Sequence, residues 1–113
     1  MTLPPLDLEA ALKTALGKRE LLERLVEKYR RAWPQVLDDL KKAGAAGDLA
    51  DLGRISHRMK SSSGIIAALE LADLFGGIEQ QAGRGDLEAV RRMIGELPPA
   101  ADRLLLELEK AGF

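Results

Sequence analysis

The sequence predicts an all-α fold, namely an antiparallel four-helix bundle with a short additional N-terminal helix. Apolar residues recur every three to four positions along most of the 113 residues, as amphipathic helices require. No stretch alternates between apolar and polar residues in the manner of a half-buried strand. Short connectors containing glycine and aspartate separate the long amphipathic segments, and such connectors join antiparallel neighbours.

The first two helices are predicted in the N-terminal part of the chain. Asp7 is a good N-cap residue, so a short first helix begins near it and ends near Gly17. The second helix runs from about Arg19 to Ala43, and residues 44–47 form the connector that follows. Pro34 lacks a backbone N–H within this second helix, which predicts a kink.

The third and fourth helices are predicted in the middle of the chain. Asp48 caps the third helix, which carries His57, the only histidine, and ends near residues 64–68. The fourth helix runs from about Glu70 to Ala82. It contains Gly76-Gly77, and a helical glycine costs about 1 kcal/mol relative to alanine, so we expect close backbone packing at this pair.

The fifth helix completes the predicted bundle. Asp86 caps it, and Pro98-Pro99 produces either a kink or a second helix start. A chain of 113 residues is long enough for one domain and too short for two, so residues 1–113 are expected to form a single domain.

Composition excludes several classes of protein. The net charge is −1 with both signs interspersed, which argues against a nucleic-acid partner and against anionic membranes. The absence of cysteine excludes disulfides and thiolate zinc sites. No apolar run is long enough to span a bilayer, and the first residues lack the pattern of a signal peptide. We therefore expect a cytoplasmic protein without a metal site or a cofactor.

His57 lies on the polar face of the predicted third helix. At 100° per residue it points away from the apolar side, which Leu52, Ile55 and Met59 form. Lys60 follows three residues later on the same side as His57. The other members of this face are small, and they are Gly53, Ser61 and Gly64, extended by Ala50 and Ala68.

The surroundings of His57 argue against most histidine chemistry. It has no histidine or cysteine partner, and no carboxylate lies on its face of the helix. A zinc site needs several such ligands, and a Ser-His-Asp triad needs an orienting acid. No glycine-rich loop follows a strand, so no nucleotide cradle is indicated.

An exposed imidazole can still act alone as a nucleophile and form phosphohistidine. Lys60 would offset the charge of the incoming phosphoryl group. Small neighbours would let the domain that donates the phosphate approach within bonding distance of the ring. The predicted docking residues are Gly53, Arg54, Arg58, Gly64 and Ile65.

Other interpretations of His57 remain open at this point. A lone histidine on a surface helix is commonly only a solvated residue. The small residues would also suit close helix packing, although this would bury His57 and Lys60 at a desolvation cost. A helical adaptor that binds partners without being phosphorylated is the main alternative function. An enzyme with His57 as general base lacks a second catalytic group.

The segment His57-Arg-Met-Lys60-Ser-Ser-Ser63 resembles the motif of histidine-containing phosphotransfer (HPt) domains, in which lysine follows the histidine by three residues. The resemblance covers about residues 18–110. It extends to further positions where such domains tend to carry the same residues, and these are Gly47-Asp48-Leu49, Gly64, Leu69, Glu79 and Gly83-Arg-Gly-Asp86.

The resemblance implies a four-helix bundle without kinase activity of its own. It implies that His57 is the phosphoacceptor and that Lys60 stabilises the phosphoryl group. Ser61 stands where glycine is usual, so its hydroxyl would either hydrogen-bond to the phosphoryl group or slightly slow the transfer. The implied partners are receiver domains of response regulators and a hybrid histidine kinase, and we expect the protein to be a monomer.

Overall fold

The computed structural model describes residues 2–113, and every regular element in that range is helical. Five helices follow one another, as the sequence predicts. They are α1 (Leu8–Thr14), α2 (Arg19–Ala46), α3 (Leu49–Ile65), α4 (Leu69–Gly83) and α5 (Leu87–Lys110).

The three aspartates predicted as N-caps all cap helices. Asp7 accepts a hydrogen bond from the backbone N–H three residues later at 3.1 Å, and so begins α1. Asp48 and Asp86 do the same for α3 and α5, each at 3.0 Å. Such a bond satisfies one of the free N–H groups at the start of a helix, which is why helices begin where these residues stand.

The predicted end of α2 is wrong, and of the two alternatives at the prolines of α5 the second helix start is ruled out. Helix α2 continues to Ala46, so Gly44 is a buried helical residue and the connector is shorter than predicted. The helix ends at Gly47, whose φ of +68° is left-handed and is adopted most easily by glycine. Helix α5 also continues through Pro98-Pro99, so no new helix starts there.

The prolines do not end their helices because the residues on both sides of them are buried in the core. Tyr29 precedes Pro34 and Val36 follows it, and both are less than a tenth exposed. Leu97 and Ala100 bracket the proline pair of α5 and are almost completely buried. Burial on both sides of the prolines therefore outweighs the lost backbone hydrogen bonds.

Each long helix packs against two others. Helices α2 and α4 both contact α3 and α5, while α1 packs on α2. The α3–α4 contact is the most extensive, and the α2–α5 contact lies on the opposite side of the molecule. The side chains that fill the space between the helices are mainly aliphatic, and the largest fully buried ones are Phe75, Leu22, Leu40, Leu52, Ile55, Ile66, Leu71, Ile78, Leu97 and Leu108.

The expectation of close backbone packing at the glycine pair of α4 is not met, because only side-chain atoms lie within 4 Å of a Cβ atom placed on either glycine. A Cβ atom placed on Gly77 would overlap Cε at the end of the Met93 side chain on α5. At Gly76 the same atom would lie at an ordinary distance of 3.5 Å from Cδ of Lys60. Gly77 therefore leaves room for the end of the Met93 side chain, and Gly76 leaves room for the stem of Lys60.

Two serines of α3 are buried, and they differ in hydrogen bonding. Ser63 shares a 2.6 Å hydrogen bond with the hydroxyl of Tyr29 on α2. Ser56 is fully buried, and its Oγ has no partner among the described residues. A buried hydroxyl without a partner costs roughly 1–3 kcal/mol of desolvation.

We expect Ser56→Ala to raise the free energy of unfolding by about 1 kcal/mol, because it removes the unpaired hydroxyl. Ser63→Ala should lower it by about 1–3 kcal/mol, because the Tyr29 hydroxyl then lacks its partner. Urea denaturation of both variants measures the difference. A destabilised Ser56→Ala protein would show that the hydroxyl has a partner.

The protein should also lose stability in alkaline solution through Tyr29. Burial raises the pKa of Tyr29 to about 12, from 10 in an exposed tyrosine, and the Ser63 hydrogen bond opposes this only in part. The unfolded chain therefore loses this proton first. The stabilisation is complete below pH 10 and is lost between pH 10 and 12, by about 1.4 kcal/mol per pH unit.

Tyr29 is the only tyrosine, so the ultraviolet absorbance of tyrosinate reports this titration directly. Urea denaturation across the same pH range should give a steeper loss of stability for wild type than for Tyr29→Phe. Equal slopes, or ionisation of the native tyrosine near pH 10, would contradict the buried hydroxyl.

Candidate functional site

The exposed face of α3 carries His57, as the sequence predicts. Its side chain is 66% exposed. On the opposite face of the same helix, Leu52, Ile55 and Met59 are buried in the core. Burial of one face therefore holds α3 in the rotation that presents the imidazole to solvent.

The ring of His57 is oriented by a carboxylate from the neighbouring helix. Nδ1 of His57 lies 2.7 Å from Oε2 of Glu79 on α4. An ionised carboxylate only accepts hydrogen bonds, so the Nδ1–H group of His57 donates a hydrogen bond to Glu79. Nε2 of the neutral ring then keeps its lone pair.

The sequence pattern of α3 alone does not identify Glu79 as a partner of His57. The face of α3 around His57 carries no carboxylate of its own, yet packing against α4 brings one into contact with the ring. The helical pattern of α3 could not reveal this, because it depends on the register between two helices. Only the family resemblance singled out Glu79, and it assigned the residue no role.

Lys60 joins the same network. Its Nζ lies 3.8 Å from Oε1 of Glu79, and its side chain is 53% exposed. The stem of Lys60 runs along α4 beside Gly76, within ordinary contact distance of a Cβ atom placed there. Glu79 therefore contacts both His57 and Lys60, one through each carboxylate oxygen.

Ser61 lies outside this network. Its Oγ donates to the backbone carbonyl of His57 across 3.4 Å, one helical turn back. The side chain is exposed on the same face as His57. In this structure the hydroxyl therefore contacts the backbone of the site rather than the ring.

A shallow groove of about 490 Å³ runs beside His57 between α3 and α4. The predicted docking residues Gly53, Arg54 and Arg58 line it together with His57 and Glu79. The expected extension by Ala50 is confirmed, since this residue is exposed and lines the same groove.

The other predicted docking residues lie farther along α3. Gly64 and Ile65 stand at the C-terminal end of the helix and do not line the groove, although both are exposed and Ile65 is 47% accessible. Ala68 is fully buried, so the prediction that it extends the exposed strip is wrong. It is the N-cap residue of α4, where the chain turns into the core.

A second, larger groove opens on the other side of the Lys60–Glu79 pair. It lies between α4 and α5 and has a volume of about 1320 Å³. Gly76 and Gly77 form part of its wall, and the acidic residues Asp73 and Glu96 also line it. His57 therefore lines the first groove, Lys60 lines the second, and Glu79 lines both.

Residues 2–113 contain no cluster of three or more side chains suited to hold a metal ion. Within the same range, no helix is long and apolar enough to cross a membrane.

Comparison with known proteins shows the family of the chain. The family model described as Hpt domain matches residues 24–111, which include all three members of the His57–Glu79–Lys60 network. Neither the curated proteins nor the solved structures gave a match. Since the family model covers most of the sequence, the chain belongs to the Hpt domain family, the helical phosphotransfer modules of two-component phosphorelays.

Proposed function

We propose that this protein is a phosphorelay intermediate. His57 accepts a phosphoryl group from the aspartate of one receiver domain and passes it to the aspartate of another. The observation that carries this proposal is the hydrogen bond between Nδ1 of His57 and Glu79, which leaves the other ring nitrogen, Nε2, without a protein partner on an exposed side chain, with Lys60 paired to the same carboxylate.

The chemical step uses the free nitrogen of His57. The lone pair of Nε2 attacks the phosphorus of the receiver's aspartyl phosphate, and an N–P bond forms. The bond between phosphorus and the aspartyl oxygen breaks, and the aspartate leaves as a carboxylate. The neutral ring becomes a cationic N-phosphoimidazolium that keeps its Nδ1 proton. Glu79 accepts that proton in a hydrogen bond and offsets the new positive charge.

Lys60 stabilises the phosphoryl group in this step. A phosphoryl group brings between one and two negative charges near neutral pH. Lys60 is half exposed and only loosely paired with Glu79, so its ammonium group is available to the phosphoryl oxygens. The proposal also assigns Ser61 to this task, because its hydroxyl is exposed one turn beyond His57.

The small residues of α3 support a docking surface. Helical glycines lower stability by about 1 kcal/mol relative to alanine, yet this chain does not need the glycines at Gly53 or Gly64 for packing. A Cβ atom on Gly53 would make one ordinary contact of 3.8 Å, and one on Gly64 would meet nothing within 4 Å. Both positions leave room for a partner. The proposed docking surface consists of Gly53, Arg54, Arg58, Gly64 and Ile65.

The proposal also includes the architecture and state of the protein. Helices α2–α5 would form an antiparallel bundle, with α1 as an addition and the domain core at about residues 18–110. The short connectors between these helices support this arrangement. We propose a cytoplasmic monomer without kinase activity, whose partners are receiver domains or the receiver of a hybrid histidine kinase. Gel filtration of the purified protein measures the oligomeric state.

Wild-type protein incubated with phosphorylated receiver domains should acquire an acid-labile label, because a phosphohistidine bond is hydrolysed in acid. His57→Gln should acquire none, because glutamine lacks a nucleophilic nitrogen. Profiling against the receiver domains of the host, followed by gel autoradiography, measures the transfer.

Two other results would contradict this proposal. Label retained by His57→Gln would show that another residue is the acceptor. Failure of wild type to take label from any receiver, with binding preserved, would favour the helical adaptor instead. Circular dichroism of His57→Gln serves as the control for folding.

Substitution of Glu79 separates its charge from its hydrogen bond. Glu79→Ala removes both and should slow labelling by about 10- to 100-fold, the range expected for a hydrogen bond to a charged group. Glu79→Gln keeps an acceptor for Nδ1–H and should be slowed less. The measurement is the initial rate of transfer from one receiver. Glu109→Ala, which removes an exposed carboxylate on the α2–α5 side, is the matched control.

A purely structural role for Glu79 would produce a different pattern. Both Glu79 variants would then lose stability, and transfer would fall in proportion to the unfolded fraction. Full activity of Glu79→Ala would show that the ring needs no orienting partner.

A further inference from the structure

The two grooves near His57 carry charges of opposite sign, and some of these charged side chains have no ion-pair partner in the described part of the chain. We define the basic edge as Arg54 and Arg58, which line the α3–α4 groove. We define the acidic groove as the α4–α5 groove, which carries Asp73 and Glu96. His57 lies on the first groove, Lys60 lies on the second, and Glu79 lines both.

The basic edge has one free cation and one partly neutralised cation. Arg58 is exposed and forms no ion pair within residues 2–113. Arg54 is also exposed but pairs with Asp51 on its own helix. The carboxylate of Glu79 belongs to His57 and Lys60, so it does not cancel the charge of Arg58.

The acidic groove carries an excess of negative charge. Asp73 and Glu96 are exposed, and neither is paired in the described part of the chain. Glu70, which also lines this groove, accepts hydrogen bonds from Nε of Arg103 at 2.9 and 3.1 Å and from Nη2 at 2.7 Å, so the charges of this pair cancel. The groove therefore presents two carboxylates beyond those that the chain itself neutralises.

Both charged regions fall within reach of one docked domain. Arg54 and Arg58 lie within about 5 Å of His57 along the axis of α3, at 1.5 Å per residue. Asp73 lies about 9 Å from Glu79 along α4 by the same measure. A partner of ordinary size covers about 800 Å² of this protein, which includes both regions when it is centred on His57.

We propose that the receiver docks on His57 in one rotational orientation, set by these opposite charges. Its acidic side chains lie over the basic edge, and its basic side chains lie over the acidic groove. If the receiver contacted only His57, it could rotate freely about the axis of attack by Nε2. Charges of opposite sign on the two sides define its orientation, because a rotated receiver would place like charges together. This inference rests on the proposed function.

Charge reversal on each side tests the inference. The probe is a receiver domain that transfers label to wild type, and the readout is kcat/KM for labelling at low ionic strength. Arg58→Glu and Asp73→Lys should each lower kcat/KM by about 5- to 20-fold, mainly through KM. The difference should shrink in 1 M salt, where the Debye length falls from about 10 Å to about 3 Å.

Matched controls lie on the α2–α5 side, away from His57. Lys41→Glu repeats the charge change of Arg58→Glu, and Glu109→Lys repeats that of Asp73→Lys; both positions are exposed. These controls should transfer at the wild-type rate. A receiver variant with a lysine in place of the contacted acidic side chain should restore transfer to Arg58→Glu and leave Asp73→Lys slow.

The outcomes separate this inference from the proposed function. If wild type takes label but Asp73→Lys is as fast as its control or faster, the two-sided orientation is wrong while the relay remains. The same holds if Arg58→Glu matches Lys41→Glu. If wild type takes label from no receiver, the proposed function fails, and this inference fails with it.

Discussion

The packing of α3 against α4 is the interaction on which the site depends. This contact buries the apolar face of α3 and brings Glu79 to the ring of His57 at 2.7 Å. Without the partner helix, His57 would be a solvated side chain with either nitrogen protonated. With it, one tautomer is favoured and one nitrogen is left for chemistry. The same packing therefore stabilises the core and determines which ring nitrogen of His57 has a partner.

Features that add nothing to stability are found on the α3–α4 side of the molecule. The α3–α4 side tolerates glycines that packing does not need, an unpaired buried Ser56 and several uncommitted charges. Each of these lowers stability or leaves it unimproved. Aliphatic burial through all four long helices supplies the compensation. The core therefore compensates for features of α3 that do not themselves contribute to stability.

Local features of the fold were predictable from the sequence, and features that depend on packing were not. The N-caps Asp7, Asp48 and Asp86 were predicted correctly, because a cap acts within four residues. The end of α2 was not, because Gly44 is buried beside Ile94 of α5 and this tertiary contact keeps it in the helix. Glu79 was missed as a site residue for a related reason, since its place beside His57 depends on the register of two helices.

A single exposed nitrogen constrains how a relay can operate. Nε2 of His57 is the one atom of the proposed site that forms and breaks the phosphorus bond, so donor and acceptor receivers must use it in turn. In the proposed docking each of them would cover the same two grooves, so the first receiver would leave before the second docks. The basic edge and the acidic groove would then act on both partners alike. On this proposal the direction of phosphate flow would follow from the relative stability of the phosphorylated aspartates and of phosphohistidine, not from separate docking surfaces.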